Sequence, residues 1–286
     1  MTVKEYLWKW DQQTFSVTYE TLGQGSPVLL LPAFSTVSSR SEVQEIANRK
    51  AIGHQAVTLD WLGFGQSDRP PLDYNPTLFH QLLQDFVTDI FSEPVAIVAA
   101  GHAAGYALQL AQQKPQTCSR IVLVAPTWRG PLPTMGASQS VARTVRQLVR
   151  LPLLGHVLYK LNTTPSFLRW MYRRHVYTDA TKLTPEFIER KHKITQQSGA
   201  RFAPAAFVTG ALDPAANRDD FLAWFQSLSI PVMVVIGEQA PPKSKAEMGV
   251  LAELPGVQVK RFAGTLGLHE ELAAEVATAI SPFLLA

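Results

Sequence analysis

The chain carries one cysteine, Cys118, in 286 residues. A lone thiol excludes an intrachain disulfide and suits a reducing compartment; Cys118 reads as a packed thiol rather than a nucleophile. No Cys/His cluster stands at metal-ligand spacing, so no metal is expected. The phosphate-loop signature G-x-x-x-x-G-K-[ST] and a dinucleotide fingerprint are both missing, and no cofactor is expected. Apolar runs are short. None approaches the ~20 residues that span a bilayer, and Met1–Asp11 holds Lys4, Glu5, Lys9 and Asp11 where a secretory signal would hold its apolar stretch. These gaps describe a chain that is soluble or attached to a surface, not inserted.

Acidic residues are missing regionally as well. The net charge is only +3, yet no Asp or Glu occurs between Glu93 and Asp179. That interval holds Lys114, Arg120, Arg129, Arg143, Arg146, Arg150, Lys160, Arg169, Arg173 and Arg174. From Thr127 to about Gly210 the chain also lacks strand-like runs that end in a glycine turn. Pro131, Pro133, Pro152, Pro165, Pro185 and Pro204 divide it into helix-compatible pieces. On either side the pattern alternates. Phe15, Val17 and Tyr19 suggest an edge strand pair, and Val28–Phe34, Arg120–Pro126 and Pro231–Gly237 read as strands. Leu78–Phe91 has the three-and-four spacing of an amphipathic helix. Strands alternating with helices of this length imply βαβ units and a mostly parallel sheet. At 46% hydrophobic, 286 residues can bury one sizeable core with an inserted subdomain.

Val95–Ala111 runs from an apolar strand through Gly101-His102-Ala103-Ala104-Gly105 into a helical pattern. The frame resembles the G-x-S-x-G nucleophile elbow, with Ala103 in the serine's place. Asp60-Trp-Leu-Gly-Phe-Gly-Gln-Ser67 resembles the segment that precedes that elbow in the α/β-hydrolase superfamily. Pro32-Ala33 stand where His-Gly is usual in its oxyanion loop. These matches come in the superfamily's order along nearly the whole chain, and the chain is identified as resembling a member of it. The resemblance implies an α/β-hydrolase fold: a mostly parallel central sheet with flanking helices and an inserted helical cap. Residues 1–128 and 211–286 would form the core and 129–210 the cap.

It also implies where a catalytic triad would sit. Gly237-Glu-Gln-Ala-Pro241 places Ala240 in the acid position, and the histidine position falls on Leu266 or Gly267. Triad chemistry needs a nucleophile, a base to take its proton and an acid to orient the base. Ala103, Ala240 and Leu266 supply none of these. Other candidates have plainer uses. His102 is structural in many active relatives, and His269, with Glu270 and Glu271, sits at a helix start. Asp60 would brace its loop, Asp213 would start a turn, and Ser35, Ser38 and Ser39 would fix a turn.

The expectation is a non-catalytic hydrolase-like protein that binds an apolar small molecule, a membrane surface or a protein partner. The alternative is a hydrolase or lyase of hydrophobic ester-type substrates, built around His102 and the Ala104 amide. Phe34, His102, Ala103, Ala104 and Trp128 would line an apolar cavity. Arg143, Arg146, Arg150, Arg169, Arg173 and Arg174 would form a surface for an anionic membrane or a partner. Nucleic acid is not expected, because the basic residues are neither confined to one helix nor interleaved with a stacking platform. Thr127–Pro133 and the basic cap are similar to uncharacterised hydrolase-like proteins of cyanobacteria and plastids. That resemblance implies a cytoplasmic or thylakoid-associated, peripheral location.

Overall fold

The computed structural model describes residues 2–50, 53–226 and 228–285. Its strands are β1 (Thr2–Trp10), β2 (Gln13–Leu22), β3 (Ser26–Leu31), β4 (His54–Leu59), β5 (Val95–Ala100), β6 (Cys118–Val124), β7 (Val232–Gly237) and β8 (Val257–Phe262). They form one sheet in the order β1-β2-β4-β3-β5-β6-β7-β8. β1 pairs antiparallel with β2 and β2 with β4, while every pairing from β4 to β8 is parallel. β5 and β7 are buried throughout, and β3 and β6 over their last four residues. Near-continuous runs of Val, Ile, Leu and Ala are what a parallel sheet covered on both faces requires.

The covering helices are α1 (Gln44–Lys50), α2 (Pro76–Ile90) and α3 (Ala103–Gln113), and later α10 (Arg218–Gln226), α11 (Pro242–Leu251), α12 (Leu268–Glu271) and α13 (Ala273–Leu285). α2 starts where Asn75 accepts a hydrogen bond from Leu78 N at 3.0 Å, with Pro76 in the first turn. Its Leu78, Leu82, Phe86 and Phe79, Leu83, Val87 rows are buried against the sheet.

Between β6 and β7 the chain adds no strand among the described residues. Instead α4 (Pro131–Met135), α5 (Gln139–Arg150), α6 (Pro152–Leu161), α7 (Pro165–Met171), α8 (Pro185–Thr195) and α9 (Phe202–Val208) form a helical layer. A proline opens four of these helices at the first-turn position that needs no amide donor. Four of the six prolines that break the sequence pattern are therefore helix starts, while Pro133 and Pro204 lie within α4 and α9. No helix among the described residues is long and apolar enough to cross a membrane.

Strand order reverses around β3, whose neighbours are β4 and β5. Open α/β sheets place their crevice at the carboxyl ends of strands at such a switch point. The loop after β3 (Pro32–Phe34) and the turn after β5 (Gly101–His102) meet there.

Candidate functional site

The turn after β5 pivots on Gly101, whose φ of +52° lies in the left-handed region. Its amide donates to Val124 O at 2.9 Å, and its carbonyl accepts from Ala104 N at 3.2 Å and Thr127 N at 3.1 Å. His102 is already right-handed, and Ala103 is the first residue of α3. The positive-φ residue of this strand-to-helix turn is therefore Gly101, two residues before Ala103, the position taken from the pentapeptide frame. Ala103 and Ala104 are fully buried core residues, and the Ala104 amide is spent on Gly101, which removes it as an oxyanion donor. The two glycines of the frame do different things. Gly101 supplies the positive φ. Gly105 supplies space, because a Cβ there would overlap Pro214 on the far side of α3.

A side chain at position 101 would start 3.0 Å from Ala33 Cβ and 3.9 Å from Thr127 Oγ1. Ala240 sits in the turn after β7, its amide on Gly237 O at 3.1 Å, and is buried. Leu266 is packed against the core. Gly101, Ala240 and Leu266, after β5, β7 and β8 in turn, carry no hydroxyl, thiol, carboxylate or imidazole.

His102 is 1% exposed. Its Nε2 lies 3.0 Å from Leu212 O, which also accepts from Tyr106 OH at 2.8 Å, and 3.3 Å from Asp213 Oδ1. Asp213 Oδ1 in turn accepts from Gly130 N at 2.7 Å. This network ties the elbow to both ends of the cap. Phe34 and Phe207 pack edge-on against the His102 ring, with centroids 6.2 and 5.3 Å away.

The five residues expected to line one apolar cavity do not converge on an open space. Phe34 stacks on Trp61 at 4.9 Å, and Trp128 instead stacks on Phe221 at 6.3 Å and donates to Glu247 Oε2 at 3.3 Å. All five are at most 8% exposed. A cavity of about 510 Å³ lies elsewhere, between α7 and α8, lined by Arg169, Trp170, Arg173, Pro185, Ile188 and Glu189 among others.

The cap is clamped onto the loop that holds Leu266. Thr265 Oγ1 donates to His175 O, and Gly267 N to Val176 O at 3.0 Å. Glu271 Oε1 accepts from Thr178 N at 2.8 Å, Thr178 Oγ1 at 2.7 Å and Asp179 N at 2.7 Å, while Lys182 Nζ reaches Glu271 O at 2.7 Å. Deeper in the junction, buried Lys191 of α8 meets Glu270 Oε1 at 2.8 Å and Glu42 Oε1 at 3.3 Å. His269 Nε2 lies 3.5 Å from Glu42 Oε2, so His269, in the first turn of α12, is also a buried neighbour of an acid. Burial alone would lower the Lys191 pKa, but the carboxylates of Glu270 and Glu42 hold it above its ordinary value. Sequence reading passed over Lys191 and Glu42, which are 149 positions apart. One local signal exists: Phe187, Ile188, Lys191 and Thr195 share the buried face of α8.

The six cap arginines divide. Arg150 turns inward, giving Nη1 to Leu72 O at 2.6 Å and Nη2 to Pro71 O at 3.1 Å, and Arg146 Nη1 faces Asp73 Oδ1 at 3.6 Å. These two fasten the cap to the core and leave the expected surface group. Arg143, Arg169, Arg173 and Arg174 are exposed, although Arg169 also donates to Leu183 O. Asp60 braces its loop as expected, accepting from Arg40 N at 2.6 Å and Gln66 N at 2.8 Å.

The model of the alpha/beta hydrolase family matches residues 28–279. An uncharacterised protein of Mycobacterium bovis is 29% identical over 109 residues; the match covers 37% of this chain and 31% of that relative's length. A putative non-heme chloroperoxidase of Synechocystis sp. is 27% identical over 230 residues, 80% of this chain and 79% of the relative. The crystal structure of bromoperoxidase from Bacillus anthracis shares the fold, with a TM-score of 0.76 at 19% identity over 99% of this chain and all of the other. The chain belongs to the alpha/beta hydrolase family.

Proposed function

We propose that this chain is a non-catalytic member of its family whose working surface is the cap. The observation that carries the reading is the set Gly101, Ala240 and Leu266. No hydroxyl, thiol, carboxylate or imidazole stands at the positions where the fold assembles nucleophile, acid and base. The loop that would deliver the base is instead bonded to cap segment His175–Asp179.

A catalytic reading has its own support. Two of the similar proteins, the putative chloroperoxidase and the bromoperoxidase, carry enzyme names, and His102 Nε2 lies 3.3 Å from Asp213 Oδ1, an imidazole with an orienting acid. Against it stand the burial of His102 and the bond its Nε2 already makes to Leu212 O. Hydrolysis of short p-nitrophenyl esters, and halide-dependent halogenation with peroxide, separate the two readings. We expect both rates at buffer background. An oxyanion hole alone leaves some thousandfold acceleration over water, so slow turnover is not by itself decisive. Turnover abolished in both His102→Gln and Asp213→Asn, with the thermal midpoint of at least one variant unchanged, would overturn the proposal.

A further inference from the structure

α6 carries its apolar stripe on the outside. Leu153, Val157 and Leu161 recur every four residues, on one face, and are 85%, 56% and 62% exposed. Leu154 beside them and Leu151 at the bend from α5 are also exposed. The only buried residue of α6 is Gly155, where a Cβ would overlap Val149 O. The helix therefore docks on α5 by its glycine and leaves Leu153, Leu154, Val157 and Leu161 in water. A contiguous exposed patch of this kind marks an interaction site.

Charge identifies what covers it. Lys160, seven residues from Leu153 and so on the same face, is exposed. Arg143 of α5 and Arg173 are exposed, and the Arg174 guanidinium lies 5.8 Å over the half-exposed Trp170 ring. No acid is contributed anywhere from 94 to 178. Acids on neighbouring elements include Asp73, which faces Arg146, Glu189, which lines the α7–α8 cavity, and exposed Asp179 and Glu186. A second copy of this chain would bring like charges to the same face, which argues against self-association.

We infer that the α5–α6 hairpin and Trp170 seat this protein on an anionic lipid bilayer, the leucines entering the headgroup boundary and Lys160, Arg143, Arg173 and Arg174 meeting the lipid charge. This rests on the reading of the cap as the working surface, and the assay below is independent of any catalytic one. Exposed leucines on one helix face, with basic residues on the same and neighbouring helices, are the composition of an interfacial helix.

The full chain is sedimented with vesicles of phosphatidylcholine alone and with vesicles containing about a third phosphatidylserine. We expect pelleting with the anionic vesicles only, and release at about 1 M salt, where the Debye length is about 3 Å. Lys160→Gln should weaken partitioning about fivefold, the worth of one basic residue near such a surface. Leu153→Ser/Leu161→Ser should weaken it tenfold or more, with an unchanged thermal midpoint because both side chains are already in water. Equal pelleting with both vesicle types, or none with either, overturns the inference. So does concentration-dependent dimerisation abolished by the leucine variant, which would make a second copy the occupant.

Discussion

Lys191 Nζ and Glu270 Oε1 lie 2.8 Å apart at the seam between cap and core. With Glu42 at 3.3 Å, one buried cation serves two carboxylates, from the loop after β3 and the start of α12. Removing one partner from such a group strands the others without water, at about 3–5 kcal/mol. Lys191→Met should therefore lower the urea midpoint strongly. Lys191→Met/Glu42→Gln/Glu270→Gln should recover much of the loss, because no uncompensated charge remains. A triple variant as weak as the single one would show that packing, not charge, holds the seam.

Gly101 and Gly105 should respond differently to substitution. Gly101→Ser places a β-carbon at φ +52° with its nearest neighbour at 3.0 Å, costing about 1–2 kcal/mol of backbone strain. Ester hydrolysis should stay at background, since no base receives the serine proton. Gly105→Ala drives a methyl into Pro214 and should cost about 1–3 kcal/mol by overpacking despite favouring a helix. Paired denaturation curves and an esterase assay check both. Measurable acyl turnover in Gly101→Ser would reveal a base that the geometry does not place there.

The central strands and the helical layer were legible because apolar runs of four to six residues and proline-opened helices leave periodic marks. The elbow was legible only to within two residues. Its spacing of glycines fits the pentapeptide frame, but which glycine takes positive φ depends on hydrogen bonds to Val124 and Thr127 from the next strand and loop. Similarly, periodicity shows that α6 is amphipathic without showing which way it faces; Gly155 against Val149 decides that. The inward turn of Arg146 and Arg150 depends on the Pro71–Asp73 loop, far earlier in the chain. The Glu42–Lys191–Glu270 seam joins three distant segments, and only the helical spacing of Lys191 hints at it.

Cys118 opens β6 and is 3% exposed. Burial pushes its thiol up to about 11, the hydrogen bond with Thr117 opposing only in part. Since the thiolate is the nucleophile, the native protein should resist an aromatic disulfide reagent at about pH 8 and react fully once unfolded. Rapid labelling of the folded chain would place the thiol outside the core.

Stability should fall as pH drops from about 7 to about 5. His54, His80 and His175 all have pKa values lowered by burial, with Lys50 adding to the effect at His54 and Arg174 at His175. At His80 the hydrogen bond to Gln113 opposes burial without cancelling it. Each imidazole is thus neutral in the folded chain at a pH where the unfolded chain, with a pKa of about 6.5, takes up a proton. The unfolded state binds more protons, so stability present above about 6.5 is lost as pH falls through the lower folded values. Asp60 works in the opposite sense, because burial raises its carboxyl and the folded state then holds the proton more readily. His80→Gln isolates the imidazole contribution, keeping a polar partner for Gln113 while removing one titrating group. Between about pH 7 and about pH 5 the urea midpoint of the parent should fall further than that of this variant. Parallel midpoints across that range would mean that His80 titrates alike in both states.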